Sequence, residues 1–418
     1  MNIKKTNSAA KLQKFEKLAA KFRSNTQKQQ YKSAIIHARN ALKIMPNHLM
    51  VRSDLAFCLL RDKQYQAAYN QYKIIFHAGE DAWSNAGKTW LDGLAEVCGW
   101  LGKEQELQRI GCLSLKRADQ EVLEQAAAIV HQPQKRLNFN PAQPKRNIIS
   151  FSLFGDQPKY CESAVLNVQV ATELFPNWRC RFYLAEDVPT QVASRLVKLG
   201  AQVIHLNTKE SKIHPLMWRF LVVDDENVDF YLIRDADSLL SEKEQAAVES
   251  WLDSEYHFHH MRDYFTHTEL LLAGMWAGVR GALPKIGLLM EQFCSAHQQS
   301  KHFIDQHFLR MQLWPMIRNS LLCHDEIFKF HRAQAFPKSK PSRWQNFSFH
   351  IGSNCSYQEL SLNCAKEAGQ WQQWHIVDSD KEEVCCYQTQ VGTKSLLLNL
   401  PFLYVDNINR GKWSIVLN

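Results

Sequence analysis

The sequence predicts an all-α helical repeat domain followed by an α/β domain, a Rossmann-like mixed or parallel sheet with flanking helices. Two observations carry this expectation. In the first third of the chain, apolar residues recur at three- and four-residue spacing and the pattern returns after 34 residues. From Asn147 onward, short β-prone runs alternate with stretches of helical periodicity. The expected order is a helical domain over 1–130, a linker over 131–146, an α/β domain over 147–335, and a C-terminal extension over 336–418 that completes it.

Residues Lys11 to Arg23 place Leu12, Phe15, Leu18, Ala19 and Phe22 on one face of a helix whose other face is lysine. Such a helix either caps the following domain or lies on an anionic membrane surface. Further on, Tyr31, Ala34 and Ala38 recur 34 residues later as Tyr65, Ala68 and Tyr72. With Leu55-Ala56, Leu59, Asp62 to Tyr65 and Ala67-Ala68, and with Pro46 at a junction, the region resembles a tetratricopeptide-repeat array. A third, looser unit runs from Trp83 to Leu115, with Leu94-Ala95 in place of Leu55-Ala56. Units of this kind bury their apolar faces only by stacking, so the array is expected to present a groove to a protein partner or to pack on the next domain.

Pro133, Pro141 and Pro144 then fall within 12 residues, beside Lys135, Arg136, Lys145 and Arg146, a linker composition. The α/β pattern follows. Ile148 to Leu153, Arg179 to Leu184 and Gln202 to Leu206 read as strands, and Tyr160 to Phe175 and Val188 to Leu199 as helices. Ligands of such sheets bind at the carboxyl ends of the strands, here first at Phe154-Gly155-Asp156. No Gly-x-Gly-x-x-Gly or Gly-x-x-x-x-Gly-Lys follows, which disfavours dinucleotide and P-loop chemistry. A later strand, Asp229 to Ile233, runs into Arg234-Asp235-Ala236-Asp237-Ser238. Two carboxylates at i and i+2 after a buried strand can meet one divalent cation and leave positions open for phosphate oxygens; the bland alternative is a turn that caps the helix Glu242 to Leu252.

Taken together, several stretches resemble the nucleotide-sugar-dependent glycosyltransferases of the GT-A fold found in bacterial surface-glycan systems. They are Ser150 to Gly155, Tyr160, Phe175 to Trp178, Arg181 to Tyr183, Met217 to Phe220, Arg234 to Ser238, Met261 to Asp263, Ala273 to Gly278, Asp305-Gln306 and His324-Asp325. The resemblance implies a GT-A-like α/β fold and transfer of a sugar from a nucleotide sugar to a glycan, lipid-linked glycan or protein acceptor. It implies that Asp235 and Asp237 hold Mn²⁺ or Mg²⁺ and that Phe151, Arg219, Arg234, Gly274, Met275 and Trp276 line the nucleotide-sugar site. Asp263 and Asp305 become the candidates for gripping sugar hydroxyls or serving as general base. His350, in Phe349-His350-Ile351-Gly352, resembles a late metal ligand of some retaining transferases, although Ser353 to Tyr357 departs from the usual continuation.

The remaining residues narrow the alternatives. The 11 cysteines show no Cys-x-x-Cys pair and no disulfide framework, and the adjacent Cys385 and Cys386 receive no role. The cluster Tyr256-His-Phe-His-His260 reads as a strand without metal-ligand spacing. Of the formal charge of +8, residues 1–30 supply most, eight Lys and Arg against Glu16 alone. That leaves the rest near neutral and removes the support for nucleic acid as a partner. Without an apolar signal core or a run long enough to span a bilayer, the expected location is the cytoplasm, with possible peripheral contact at the inner membrane face through the basic helix. The alternative to an enzyme is a repeat-protein scaffold carrying an inactive transferase-like domain.

Overall fold

The computed structural model describes residues 2–125, 132–297, 303–344, 349–356, 358–393 and 395–418, with side chains from residue 10 onward. Position 131, where the expected linker starts, and Tyr357 lie outside the described residues, as do the side chains of Lys4 and Lys5. The chain forms two units. One comprises Met1–Glu124, Tyr264–Leu270 and Glu326–Arg332; the other comprises Gln125–Asp263, Leu271–Asp325 and Ala333–Asn418.

The helical unit runs α1 (Asn2–Gln27), α2 (Tyr31–Ile44), α3 (Leu49–Arg61), α4 (Tyr65–His77), a single turn α5 (Glu80–Trp83), α6 (Trp90–Trp100) and α7 (Glu104–Gln125). The 34-residue recurrence falls on equivalent positions, since Tyr31 opens α2 and Tyr65 opens α4. Ala34, Ala38 and Ala68 are fully buried, which lets neighbouring helices approach closely. On α1, Phe15, Ala19 and Phe22 are buried and α2 packs alongside, while Leu12 and the lysines at 11, 14, 17 and 21 are exposed. Two late stretches of chain belong to this unit because glycines receive their aromatic rings. A β-carbon on Gly99 would lie 2.3 Å from Phe265 Cγ, and one on Gly111 would lie 2.1 Å from Phe328 Cδ1. A groove of about 990 Å³, lined among others by His48, Met50, Arg52, Ile74 and His77, opens on this unit.

The second unit is built on β1 (Asn147–Leu153), α8 (Pro158–Leu174), β2 (Arg179–Ala185), α9 (Thr190–Lys198) and β3 (Gln202–Leu206). After a 3-10 helix (Pro215–Asp224) come β4 (Phe230–Arg234), α10 (Glu242–Leu252), β5 (Phe258–Arg262) and β6 (Met275–Val279). Then follow α11 (Gly287–Ala296), α12 (Ile304–Phe308), the π-helical turn Leu309–Leu313, α13 (Trp314–Ile317) and β7 (Leu321–Asp325). The seven strands lie in the order β3-β2-β1-β4-β6-β5-β7. All pairings are parallel except that β6 runs antiparallel to β4 and β5. Residues of β1, β4, β5, β6 and β7 are buried at every position, as expected of a sheet covered on both faces. A mostly parallel seven-stranded sheet with flanking helices agrees with the GT-A-like α/β expectation.

The proline-rich stretch read as a linker is pinned along this unit. Gln134 donates its N–H to Gly281 O at 3.0 Å, and Arg136 donates to Tyr256 O at 2.9 Å and Trp251 O at 3.1 Å. The C-terminal extension contributes β8 (Glu359–Asn363), β9 (Trp371–Val377), β10 (Glu383–Gln390), β11 (Ser395–Asn399), α14 (Phe402–Asn409) and β12 (Ser414–Leu417). They form a three-stranded sheet, β10-β9-β12, and a two-stranded one, β11-β8. Trp374, Ile376, Tyr387, Leu398 and Phe402 share one apolar core with Phe151 of β1 and Val165 of α8. The buried carboxylate of Glu162 on α8 seals this junction: Arg195 donates to it at 2.8 and 2.9 Å, Tyr387 Oη at 2.6 Å and Tyr404 Oη at 2.7 Å. Among the described residues, no helix is long and apolar enough to cross a membrane.

Candidate functional site

Asp235 and Asp237 leave the carboxyl end of β4, and several distant residues hold the turn that carries them. On α8, the buried Asn167 donates Nδ2 to Ala236 O at 3.2 Å and Ser238 O at 2.9 Å, and its Oδ1 accepts from Leu240 N at 3.1 Å. Cys355 N donates to Asp237 O at 2.9 Å, and Ser238 bridges to Asn354. Gly274 lies against Asp235, and Gln306 anchors the stretch before it, accepting from Ala273 N at 2.6 Å and donating to Leu271 O at 2.9 Å.

Arg219 organises the carboxylates. Its Nη1 meets Asp235 Oδ1 at 2.8 Å and its Nη2 meets Asp305 Oδ2 at 2.8 Å. Two serines of β1 set its backbone, because Ser150 Oγ donates to Arg219 O at 2.7 Å and Ser152 Oγ accepts from Arg219 N at 2.9 Å. The guanidinium is buried, and its Nε has no acceptor among the described residues. Burial pushes the Asp305 carboxyl up, with Arg219 opposing and Asp235 adding to the rise. Burial and the Asp235 charge together push Asp237 up to about 6, with Arg219 and Lys159 opposing. Two carboxylates whose joint ionisation is costly, with all-oxygen donors, form a set that fits a hard divalent cation.

The other expected residues are placed differently. His350 sits in a turn tied to this region, where Ile351 N donates to Asp263 Oδ2 at 3.0 Å and Gly352 packs on Met275. Asp235, Asp237 and His350 do not bring donor atoms within 4.8 Å of one another; among the described residues only His375, Glu383 and Cys386 do so. Asp263 is engaged by Lys243 as well as by Ile351 N, whereas Asp305 belongs to the Arg219 cluster. Arg234 departs from its expected role. Its buried guanidinium turns inward to Glu244, to Ile233 O at 2.7 Å and to Trp276 O at 2.9 Å, because strand alternation points it at the core. Phe151 is likewise a core residue, stacked on Phe182 at 4.7 Å, and Trp276 is fully buried edge-on to Tyr231. A β-carbon on Gly278 would lie 2.3 Å from Tyr231 Oη, so this glycine leaves room for the tyrosine ring. Asn167 and Lys159 had no signal in the sequence, and the stretch that holds Ser150 and Ser152 gave no hint of their bonds to Arg219, since these roles arise only when α8, β1 and β4 come together.

No family model matches the chain, and no curated protein matches it. Among solved structures it is similar to an O-GlcNAc transferase variant from Thermobaculum terrenum, at 10% identity over 54% of this chain and 46% of that one, with a TM-score of 0.26. It is also similar to glucosyl-3-phosphoglycerate synthase from Mycobacterium tuberculosis in complex with phosphoglyceric acid, at 14% identity over 43% of this chain and 76% of that one, with a TM-score of 0.24. The chain thus spans less than half the length of the first of these. Likeness at such TM-scores settles neither fold nor activity; the strand order and the side chains of the site stand by themselves.

Proposed function

We propose that the protein is a metal-dependent glycosyltransferase that moves a sugar from a nucleotide-sugar donor, such as a UDP- or GDP-sugar, to a glycan, lipid-linked glycan or protein acceptor in surface-glycan synthesis. The observation that carries this reading is the buried Arg219 held between Asp235 and Asp305 at the carboxyl end of β4, beside Asp237, whose carboxyl burial pushes up. Asp235 and Asp237 would hold Mn²⁺ or Mg²⁺, which when bound supplies positive charge to the departing diphosphate. Arg219 adds a fixed cation beside these carboxylates. Asp305, whose carboxyl is raised by burial, is suited to accept a hydrogen bond from a sugar hydroxyl or to take its proton, while Asp263 braces the His350 turn. The groove on the helical unit supports a role for that unit in receiving a protein partner or acceptor.

The test is a thermal-shift panel of UDP, GDP, CDP and their sugars with and without Mn²⁺, followed by donor hydrolysis. A Mn²⁺-dependent rise in melting temperature with one nucleotide, lost in Asp235→Ala, is the expected result. A flat panel, or full Mn²⁺-dependent turnover in Asp235→Ala, refutes the reading.

A further inference from the structure

The sequence gives Cys386 no relay, but the fold supplies one. β9 and β10 pair antiparallel with Cys386 directly opposite His375, and Glu383 lies at the bulged start of β10. His375 bridges the other two through opposite ring nitrogens: Nδ1 lies 2.5 Å from Glu383 Oε2, and Nε2 lies 3.7 Å from Cys386 Sγ. The surroundings assign the tautomer. Asn418 Nδ2 at 2.8 Å and Gln373 Nε2 at 3.4 Å also face Nε2, so this nitrogen is the acceptor and Nδ1 carries the proton toward the carboxylate. Gln373 Nε2 further donates to Cys386 Sγ at 3.4 Å, so the sulfur accepts in this arrangement.

Cys386 is half-buried and lines a groove of about 490 Å³ with Asp156, Thr190, Gln191, Trp371 and Gln388. Side-chain amides, a carboxylate and an exposed indole suit a small peptide-like molecule better than a purely apolar one. Cys385, the next residue, is buried and points to the opposite face of the strand, so it cannot attack a group attached to Cys386. Release of an adduct at Cys386 would therefore fall to a thiol from solution.

We propose that Cys386, served by His375 and Glu383, is a nucleophilic thiol that undergoes exchange with low-molecular-weight peptide disulfides bound in this groove. His375 Nε2 takes the Cys386 proton, and the thiolate attacks one sulfur of the disulfide. The sulfur–sulfur bond of the small molecule breaks as the Cys386 mixed disulfide forms. The departing thiolate receives the proton from His375, so one disulfide and one thiol yield one mixed disulfide and one thiol, with no further oxidant. A metal held by the same three side chains is the competing use of this cluster, but it requires His375 to give up one of its two present contacts.

The experiment treats the full chain with glutathione disulfide, and separately with limiting iodoacetamide, and follows each cysteine by peptide mass mapping. Cys112, Cys294 and Cys364, also half-buried, serve as internal controls. Cys386 should react about tenfold or more faster than these three. His375→Gln should erase the advantage, and Glu383→Gln, at an exposed position where folding is not at risk, should reduce it several-fold. Equal rates at all four cysteines, or an unchanged Cys386 rate in Glu383→Gln, overturn the proposal. So does co-purifying zinc that leaves Cys386 unreactive until it is chelated.

Discussion

Gly274 presses on the Asp235 carboxylate: a β-carbon at this glycine would lie 1.9 Å from Asp235 Oδ2 and 3.0 Å from its backbone nitrogen. Neither partner can move away easily, because Arg219 holds Asp235 and Gln306 pins the chain before Gly274. Gly274→Ala is expected to cost about 1–3 kcal/mol in urea unfolding, the usual range for overpacking, and to lower donor hydrolysis at least about tenfold. Wild-type turnover in this variant would separate Asp235 from the chemistry.

Arg219 compensates a buried carboxylate as well as serving the site. Arg219→Ala leaves Asp305 without its cation and should destabilise by about 3–5 kcal/mol, the range for a broken buried pair. Adding Asp305→Asn should return part of that loss, because a neutral amide is cheaper to bury. A double-mutant cycle by urea unfolding reads the coupling, and strict additivity would contradict it.

Asp237 should burden the cation-free fold at neutral pH. Its folded value of about 6 lies above the ordinary 3.8, so folding favours the protonated form. The stabilisation from that proton is complete below about pH 4 and lost as pH rises through about 6. Asp237→Asn is therefore expected to raise the melting temperature of metal-free protein above pH 6 and to leave it unchanged near pH 4, while abolishing Mn²⁺-dependent turnover.

The buried pair His259 and His324 gives the opposite sign. Their rings meet at 2.8 Å between Nε2 and Nδ1, burial lowers His324 to about 4, and burial with the neighbouring His324 and Arg234 charges lowers His259 well below its ordinary value. Trp251 and Phe336 stack against the two rings and offer no compensating charge. The unfolded chain takes up these protons below about pH 6.5, whereas folded His324 resists until about 4 and His259 is lowered in the same direction. Stability should thus fall across that interval, and His324→Gln should flatten the slope in a pH series of urea midpoints.

Much of the second unit was legible because its strands are short apolar runs and its helices amphipathic. Gln202–Leu206 and Glu242–Leu252 begin and end where periodicity and the Ser241 cap place them. Phe402–Asn409 was harder, since an apolar run after Pro401 reads equally as strand or helix, and packing of Phe402, Tyr404 and Val405 decides for helix. In the site, the Asp-x-Asp turn was visible from the strand before it. The destinations of the arginines were not. Arg219 and Arg234 carry the same charge, yet one meets Asp235 and the other Glu244, a choice made by the serines of β1 and the parity of β4. His375, Glu383 and Cys386 were silent for the same reason, as only strand register brings them together.

The Glu162 junction also bears on how the chain is made. Arg195 follows it by 33 residues, but Tyr387 by 225 and Tyr404 by 242. At roughly 5–20 residues per second of synthesis, the nascent carboxylate waits about 10–50 seconds for its last partner, paired with arginine alone. During that interval the face of α8 that later receives the extension stays uncovered, so chaperone demand should peak late, just before the final strands leave the ribosome.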